Sequence, residues 1–372
     1  MRFDIIHGRV EKLRVLMRER EMDAFVLLVL EHQNTESCHY ISGFRGSSAA
    51  LIIDGVGERL VTDGRYQTQA ALQSPFALTI QTGRPLVEFI AKVVSENGYK
   101  SVGFEGEKLS YNIVEGVLKK VSTNWEDASI FIPVLRRAKD VFEVEAIKKA
   151  SLIARQAYDK MLTQARVGMT EVEFGSHLLH EIKIAGAETG WAHDSFIVAS
   201  GERGAMCHGR ATQRAFGVGD TVTLDYGAMV DGYMCDITRN FAVEKAQKQA
   251  IKIDQILVKA HRDAASVLRP GVSGKEVDAV ARKVIDDAGY GKNFIHGLGH
   301  GLGLEVHETP RLSPFSKDVL KPGDVVTIEP GIYIEGWGGL RVEDDYLITE
   351  TGAECLTQSD DQHLKIAANS KK

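Results

Sequence analysis

Gly219-Asp220-Thr221-Val222-Thr223-Leu224-Asp225-Tyr226-Gly227 recurs later in the chain as Gly323-Asp324-Val325-Val326-Thr327-Ile328-Glu329-Pro330-Gly331. A second pair of segments, Gly168-Met169-Thr170 and Gly271-Val272-Ser273, repeats at almost the same interval, and each is followed 17 residues after its glycine by Ala-Gly. The interval is 104 residues for the first pair (219 to 323) and 103 for the second (168 to 271). Two copies at one interval predict two similar α/β halves that face each other across a pseudo-twofold axis.

Each copy of the longer segment carries an acidic residue at the same place, Asp225 in one and Glu329 in the other. The neighbouring residues are apolar or β-branched, which is typical of a buried strand. An acid inside such a strand is costly to bury without a partner or a metal ion. One such acid could simply lie at a strand end in solvent, but two at equivalent positions favour a shared site near the axis.

A further acid follows each of these strands. A two-residue turn at Asp231-Gly232 would place Asp225 and Asp236 as diagonal neighbours on one face of a hairpin. Glu343 follows Glu329 across a longer, glycine-rich loop, and a three-residue turn there would again place both acids on one face. The sequence therefore predicts that four carboxylates converge from two hairpins.

Four clustered carboxylates cannot all remain ionised without compensating positive charge, because like charges raise one another's pKa. Two divalent cations would resolve the conflict, and carboxylates with one imidazole suit manganese, cobalt or zinc. The segment from His296 to Glu308 holds three of the chain's 12 histidines among several glycines, which makes it the expected source of that imidazole. It is not a dinucleotide fingerprint, because Leu302 occupies the third glycine position, and it lacks the second histidine of a zinc-protease helix.

Composition restricts the class of protein. The net charge of -6 and the pI of about 6.1 argue against a nucleic-acid partner. The apolar run from Ala24 to Leu30 is far shorter than the ~20 residues that cross a bilayer, so no membrane partner is expected. The four cysteines lie far apart with no C-x-x-C pair, and we therefore expect a reducing, cytoplasmic location.

The spacing of apolar residues divides the chain into two α/β domains. Residues 4–21 have helical periodicity, and strands are expected at Ala24–Leu30, Ala49–Ile53 and Arg59–Thr62. This alternation predicts a first domain over residues 1–135. A charged amphipathic helix from Val141 to about Lys160 then opens a second domain, over residues 140–360.

Five segments carry a specific resemblance to a known family. They closely resemble the pita-bread metallopeptidases, in the aminopeptidase P and prolidase branch, in order and with normal spacing: Leu224-Asp225-Tyr226-Gly227, Cys235-Asp236-Ile237-Thr238-Arg239, Gly299-His300-Gly301, Glu329-Pro330-Gly331-Ile332-Tyr333 and Arg341-Val342-Glu343-Asp344-Asp345. Ile41-Ser42-Gly43-Phe44-Arg45-Gly46-Ser47 and Thr62-Asp63-Gly64-Arg65-Tyr66 resemble the amino-terminal domain of the same branch. The resemblance implies a small creatinase-like α/β domain followed by a pita-bread domain with an internal pseudo-twofold repeat.

The resemblance also implies a role for each matching residue. The implied metal ligands, which would hold two divalent cations, are Asp225, Asp236, His300, Glu329 and Glu343, with Asp236 and Glu343 bridging both ions. Manganese is the expected metal, with cobalt or zinc as alternatives. Three histidines would orient substrate and manage protons, namely His208, His296 and His307. Arg341 would support the metal-bound acids, and Glu329 would carry the proton from the attacking water to the leaving nitrogen. Cys207 departs from the proline that relatives often have before the histidine.

The implied activity is hydrolysis of the Xaa-Pro bond at the N-terminus of peptides by a homodimeric metallopeptidase. Prolidase, which acts on dipeptides only, remains open because the sequence does not show what lies beyond the proline pocket. A creatinase-like C–N hydrolase and a non-catalytic binding protein are further alternatives that share this fold. Arg45 and Arg65 match the first-domain motifs, but they could equally be surface or ion-pair residues.

Overall fold

The computed structural model describes residues 3–83, 85–191, 196–357 and 363–367. The chain divides into two compact units, Met1–Arg136 and Arg137–Lys372. The predicted end of the second domain, residue 360, lies outside the described residues.

The first unit is built around a mixed sheet. Its described strands have the order β4-β3-β2-β1-β5-β6. The strands are β1 Ala24–Val29, β2 Ala49–Asp54, β3 Glu58–Thr62, β4 Ala77–Ile80, β5 Ser101–Phe104 and β6 Asn124–Asp127. The helices are α1 Phe3–Glu19, α2 Thr35–Ser42, α3 Gln67–Gln73, α4 Leu86–Asn97, α5 Tyr111–Gly116 and α6 Phe131–Arg137.

Local patterns in the sequence explain these elements. Helix α1 buries Ile6, Val10, Leu13 and Met17, which recur every three or four residues and therefore share one face. Strand β1 is buried along its whole length, as its unbroken apolar run predicts. Strands β2 and β3 form an antiparallel hairpin across the predicted turn at Asp54. The predicted helix and all three predicted strands of this unit are confirmed.

The second unit begins with α7 Val141–Leu162, and its described helices continue with α8 Glu171–Ile184, α9 Lys248–Ala265 and α10 Gly274–Asp287. Its strands are β7 Thr189–Gly190, β8 Ile197–Ser200, β9 Thr221–Tyr226, β10 Ala228–Val230, β11 Tyr233–Met234, β12 Ile237–Val243, β13 Gly299–Gly301, β14 Glu308–Leu312, β15 Val325–Ile328, β16 Gly331–Ile334, β17 Gly338–Arg341, β18 Asp344–Ile348, β19 Ala353–Cys355 and β20 Lys365–Ala367. Of the helices in the described ranges, none has the length and apolar character that a membrane span requires.

The predicted repeat is visible in the second unit as two matching sets of elements. Thr170 caps the N-terminus of α8 and Ser273 caps that of α10, each in a capping box with the glutamate three residues later. The glycines that follow these helices, Gly186 and Gly289, adopt φ values of 102° and 85°. Only a residue without a Cβ adopts this conformation readily, which explains why glycine ends both copies of the helix.

Each half has its own hydrophobic core, and polar contacts join the halves along the axis. One core gathers residues between Ala150 and Val243 together with Ala367, and the other gathers residues between Ile253 and Ile348. Between them, the Thr223 hydroxyl donates to the Gly339 carbonyl at 2.8 Å, and the Asn240 side-chain amide donates to the Arg341 carbonyl at 2.7 Å. The central strands of the two halves are therefore held in a fixed relation to each other.

Candidate metal centre

The first hairpin has the register that its turn predicts. Strands β10 and β11 pair Val230 with Tyr233, which leaves a two-residue turn at Asp231-Gly232. The longer strands β9 and β12 continue in the same register and place Asp225 opposite Thr238. Asp225 and Asp236 consequently lie on one face as diagonal neighbours.

The second hairpin brings its two acids directly opposite each other. Ile334 pairs with Gly338, so the turn has three residues, as predicted. The pairs Gly331–Arg341 and Ile328–Asp344 keep one register on either side of the acids. Glu329 therefore faces Glu343 across the hairpin.

His300 reaches the carboxylates from strand β13, where it stands between two glycines. A Cβ on Gly299 would come within 2.1 Å of the Thr327 carbonyl oxygen, so only glycine allows β13 to lie this close to β15. The Nε2 atom of His300 lies 3.3 Å from Glu329 Oε1 and 3.8 Å from Asp236 Oδ2. Ligand atoms of His300, Asp236 and Glu343 all lie within 4.8 Å of one another.

The carboxyl groups of the acidic cluster are costly to ionise because they are buried close together. Burial and the neighbouring carboxylates raise the pKa of Asp236 well above its ordinary value. The same two causes raise the pKa of Glu329 well above its ordinary value and that of Glu343 to about 8. A cluster of this kind gains stability from any cation that lets the carboxylates remain ionised.

The donor set fits divalent cations. The Nδ1–H group of His300 donates to the Gly301 carbonyl at 3.0 Å, and burial lowers the pKa of this imidazole to about 3, so the ring is neutral. Its Nε2 lone pair therefore faces carboxyl oxygens, an arrangement that is repulsive when the carboxylates are ionised unless a cation lies between them. Asp225 Oδ1 and Asp236 Oδ1 are buried and receive no hydrogen bond from any residue within the described ranges.

Arg341 connects several residues of the centre through hydrogen bonds. Its Nη2 group donates to Asp225 Oδ2 at 2.6 Å, and its Nε group donates to the Thr238 hydroxyl at 2.9 Å. Its Nη1 group donates to the Tyr333 hydroxyl at 2.8 Å and to the Cys207 carbonyl at 3.1 Å. With its side chain only 3% exposed, this guanidinium fixes Asp225 and one loop of the cavity at the same time.

A cavity of about 530 Å³ opens above the cluster, within the range of small-molecule and peptide sites. All nine residues predicted for the site line it, together with others from the second unit: Asp225, Asp236, Glu329, Glu343, His208, His296, His300, His307, Arg341, Trp191, Ile197, Cys207, Arg210, Val306, Arg311 and Ser313. The His307 ring packs edge-on against His300 with 4.4 Å between centroids. The three predicted substrate histidines thus reach the same cavity as the acids.

Supporting residues were missed by the sequence reasoning. Tyr333 lies 2.9 Å from His296 Nε2 and so links that histidine to Arg341. The carboxylate of Asp345 accepts the Asp236 backbone N–H at 3.0 Å and orients that acid. Both residues lie within the motif segments quoted above, but the sequence does not show which distant residues they contact. Thr238, whose hydroxyl accepts a hydrogen bond from Arg341, is a third supporting residue, and the hairpin register that places it opposite Asp225 could have revealed it.

The two arginines of the first unit that the sequence left undecided are surface residues. Arg65 is 66% exposed along its side chain and pairs with Asp63 at 2.9 Å, two residues earlier. Arg45 is exposed, and its backbone N–H donates to the Gln73 side chain at 3.0 Å. Neither contact indicates a ligand.

Residues 145–350 match metallopeptidase family M24, and residues 9–138 match the creatinase/prolidase N-terminal domain. The chain is 38% identical to the uncharacterized peptidase YqhT of Bacillus subtilis, over 94% of this chain and 98% of that protein. It is 35% identical to the Xaa-Pro dipeptidase of Pyrococcus furiosus, over 96% and 99%.

Two solved structures extend this similarity to the fold. The Xaa-Pro dipeptidase of Bacillus anthracis superposes with a TM-score of 0.91 at 35% identity, covering 97% of this chain and 99% of that chain. The X-Pro aminopeptidase of Thermotoga maritima superposes with a TM-score of 0.89 at 33% identity, covering 96% and 99%. These matches confirm the predicted fold class, a creatinase-like domain followed by a pita-bread domain.

Proposed function

As the chain belongs to metallopeptidase family M24, it is a metallo-exopeptidase, and we propose that it hydrolyses the Xaa-Pro bond at the N-terminus of peptides. The observation that carries the proposal is the convergence of four acids and one neutral imidazole at the base of a peptide-sized cavity. Proline itself is inferred from the relatives, which are named Xaa-Pro dipeptidase and X-Pro aminopeptidase.

Two divalent cations, manganese in the first instance and cobalt or zinc otherwise, form part of this proposal. The residues that would hold them are Asp225, Asp236, His300, Glu329 and Glu343. The raised pKa of Glu343 and the unpaired oxygens of Asp225 and Asp236 support the assignment. When bound, such ions supply Lewis-acid activation of water and of the scissile carbonyl.

The protein's own side chains would hold the substrate and move its protons. Glu329, 16% exposed at the cavity wall, would take the proton of the attacking water and pass it to the leaving nitrogen. His208 and His307 both line the cavity and would donate hydrogen bonds to the oxygen of the scissile carbonyl as it gains charge. The chain of contacts from His296 through Tyr333 and Arg341 would keep the wall rigid during the reaction.

Selection of proline requires a compact apolar surface rather than a hydrogen-bond donor, because the imide nitrogen carries no hydrogen and the ring is rigid. Trp191, Ile197 and Val306 supply apolar surface to the cavity wall. A second candidate, activity on Xaa-Pro dipeptides only, is favoured by one observation. Arg210 and Arg311 also line the cavity, and guanidinium groups there would suit the C-terminal carboxylate of a very short substrate.

A direct assay separates these activities. Manganese-loaded enzyme is incubated with Gly-Pro, Gly-Pro-Pro and Gly-Ala-Pro, and free glycine is quantified. Release from Gly-Pro-Pro but not from Gly-Ala-Pro supports the aminopeptidase activity, whereas release from Gly-Pro alone supports the dipeptidase. Equal release from Gly-Ala-Pro would overturn the specificity for proline.

Glu329→Gln tests the proton-transfer role. The amide cannot accept the water's proton, so the variant should lose at least 10²-fold in kcat, the lower end of general acid–base contributions. Because Glu329 is also an assigned ligand, the metal content of the variant must be measured in parallel. Near-normal turnover with metal bound would remove Glu329 from this role.

The two other readings of the fold have less support. A creatinase-like C–N hydrolase works without metal and gives no reason to gather four carboxylates around a neutral imidazole. A non-catalytic binding protein gives no reason to retain all five candidate ligands. Metal analysis tests the choice: less than one ion per chain after loading with manganese or cobalt would contradict the proposed peptidase function.

Assembly and location complete the proposal. We propose a homodimer, on the resemblance to the aminopeptidase P and prolidase branch, and light scattering of the purified protein tests it. A reducing, cytoplasmic location is supported by Cys38, Cys207, Cys235 and Cys355, which are all free thiols. A monomer in solution would contradict the first point, and secretion of the folded protein would contradict the second.

A further inference from the structure

A buried glutamate outside the cavity holds the loop that carries His208. Glu171 is fully buried in the first turn of helix α8. Its Oε1 atom accepts the backbone N–H of Ser200 at 2.8 Å and the Ser200 hydroxyl at 2.7 Å. Its Oε2 atom accepts Nη1 of Arg203 at 2.6 Å, the backbone N–H of Thr212 at 3.0 Å and the Thr212 hydroxyl at 2.7 Å. One carboxylate thus receives five hydrogen bonds.

These donors lie at the start, within and at the end of one loop, residues 200–212, which we call the histidine loop. Arg203 reinforces it, because its Nη2 group also donates to the Arg210 carbonyl at 2.8 Å. Between the anchored ends, the histidine loop presents Cys207, His208 and Arg210 to the cavity. The loop is therefore closed around a single carboxylate that does not itself line the cavity.

The other half of the repeat indicates that the fold does not require this glutamate. Thr170 and Ala215 form an isolated bridge in the first half, and Ser273 and Val319 form its counterpart in the second. The position after the capping residue is Glu171 in the first half and Gly274 in the second. A Cβ on Gly274 would lie 2.1 Å from the Arg311 carbonyl oxygen, so the second half brings its loop against the helix directly, through the backbone.

We propose that Glu171 is a positioning residue, which sets the place of His208 in the cavity by anchoring both ends of the histidine loop. A merely structural residue at the start of a helix would not need to gather donors from three places along a catalytic loop. Displacement of a substrate-contacting group by about 1 Å costs on the order of 10²-fold in rate, so small movements of this loop matter. The catalytic consequence rests on the proposed peptidase function, whereas the anchoring of the loop does not.

Glu171→Gln tests the anchor with little change in volume. A glutamine must present its NH₂ group to one of the two backbone N–H donors, from Ser200 or Thr212, and neither can act as an acceptor. One end of the loop is therefore released. Glu173→Gln is the matched control, because Glu173 belongs to the same helical turn and bonds only Thr170 and Arg166 among the contacts described for its side chain.

Kinetics on an Xaa-Pro substrate, with the metal content measured in parallel, provide the first readout. We expect E171Q to lose about ten- to a hundredfold in kcat/KM with its metal content unchanged, and E173Q to lose less than about twofold. In a His208→Ala background, E171Q should lower kcat/KM by less than about a further threefold, because Glu171 acts by positioning His208. Equal losses in E171Q and E173Q, or additive losses in the double variant, would overturn the proposal.

Labelling of Cys207 provides a readout that does not depend on activity. Cys207 lies in the histidine loop, Cys38 and Cys235 are buried, and Cys355→Ser removes the remaining thiol that is partly exposed. In that background, E171Q should raise the rate of maleimide labelling about tenfold, in line with the release of a buried hydrogen bond, and Arg203→Met should raise it less. An unchanged rate in both variants would overturn the anchoring even if the wild type cleaves Xaa-Pro bonds. If E171Q raises the labelling rate but the wild type does not cleave Xaa-Pro bonds, the proposed function is wrong and the anchoring stands.

Discussion

The Thr238 hydroxyl donates a 2.6 Å hydrogen bond to the Glu343 carboxylate, and these two residues hold equivalent places in the two halves of the repeat. Thr238 lies opposite Asp225 in the first hairpin, and Glu343 lies opposite Glu329 in the second. Asp225 and Glu329 are themselves repeat equivalents. The duplicated strands thus meet at the axis, and there one half contributes a hydroxyl where the other contributes a carboxylate.

This relation predicts that Thr238 orients Glu343 for metal binding. Thr238→Val keeps the shape but removes the donor to Glu343 and the acceptor for Arg341 Nε. Loss of such an outer contact typically costs ~10–100-fold in metal affinity. Competition with a chelator measures the affinity, and Thr238→Ser, which keeps the hydroxyl, should stay within about threefold of the wild type. Equal affinities for T238V and the wild type would contradict the role.

The close approach of strands β13 and β15 predicts a second effect on the centre. Gly299→Ala would force its Cβ against the Thr327 carbonyl oxygen, which lies 2.1 Å away, and so displace the strand that carries His300. We expect metal binding to weaken by at least about tenfold, because ligand geometry is lost. Gly352→Ala is the control, since nothing lies within 4 Å of its Cβ position. Calorimetric titration with manganese compares the two variants, and similar binding by both would refute the steric argument.

A buried ion pair supports the segment that carries His307. Lys139 Nζ lies 3.0 Å from Glu308 Oε2, and the two side chains are 1% and 7% exposed. Lys139→Met leaves the Glu308 carboxylate buried without that cation, so the free energy of unfolding should fall by roughly 3 kcal/mol. Urea unfolding measures the change. The double variant K139M/E308Q should recover part of the loss, because it no longer buries an uncompensated charge, and a double variant as unstable as K139M would contradict this explanation.

The first unit contains a histidine that should make folding sensitive to acid. Burial, with the nearby Arg45 and Arg9, lowers the pKa of His39 from 6.5 to about 3. The unfolded chain therefore binds this proton more readily than the folded one. The stability due to neutral His39 is complete above pH ~6.5 and is lost as the pH falls towards ~3, with a slope of about 1.4 kcal/mol per pH unit. Between pH 7 and pH 5, the wild type should thus lose roughly 2 kcal/mol more than His39→Gln, as measured by urea unfolding. Identical losses in the two proteins would show that His39 titrates normally.

The sequence alone predicted the parts of the structure that follow from short-range rules. Asp231-Gly232 set the turn of the first hairpin, and the register of Asp225 followed from it because strand residues alternate between faces. Thr170 and Ser273 belong to segments that repeat at nearly one interval, which predicted that the halves are alike, and the structure shows that both residues cap equivalent helices.

The residues that the sequence could not identify act through contacts between distant segments. Tyr333 ends one of the segments that carry the family resemblance, but its role depends on contacts with His296 and Arg341, which that segment does not reveal. Glu171 has the appearance of an ordinary first-turn acid, since acids are common at that position in helices. Only the folded chain shows that its carboxylate faces inwards to a loop about 30 to 40 residues further on.

We expect paired cations to neutralise the cluster of acids that the duplicated halves bring together. Anomalous diffraction from crystals of the protein soaked in manganese tests this expectation. We predict two peaks in the cavity of the second unit, both contacted by Asp236 and Glu343, with His300 beside one of them. An acidic cluster without anomalous density, or with manganese bound only elsewhere on the molecule, would contradict it.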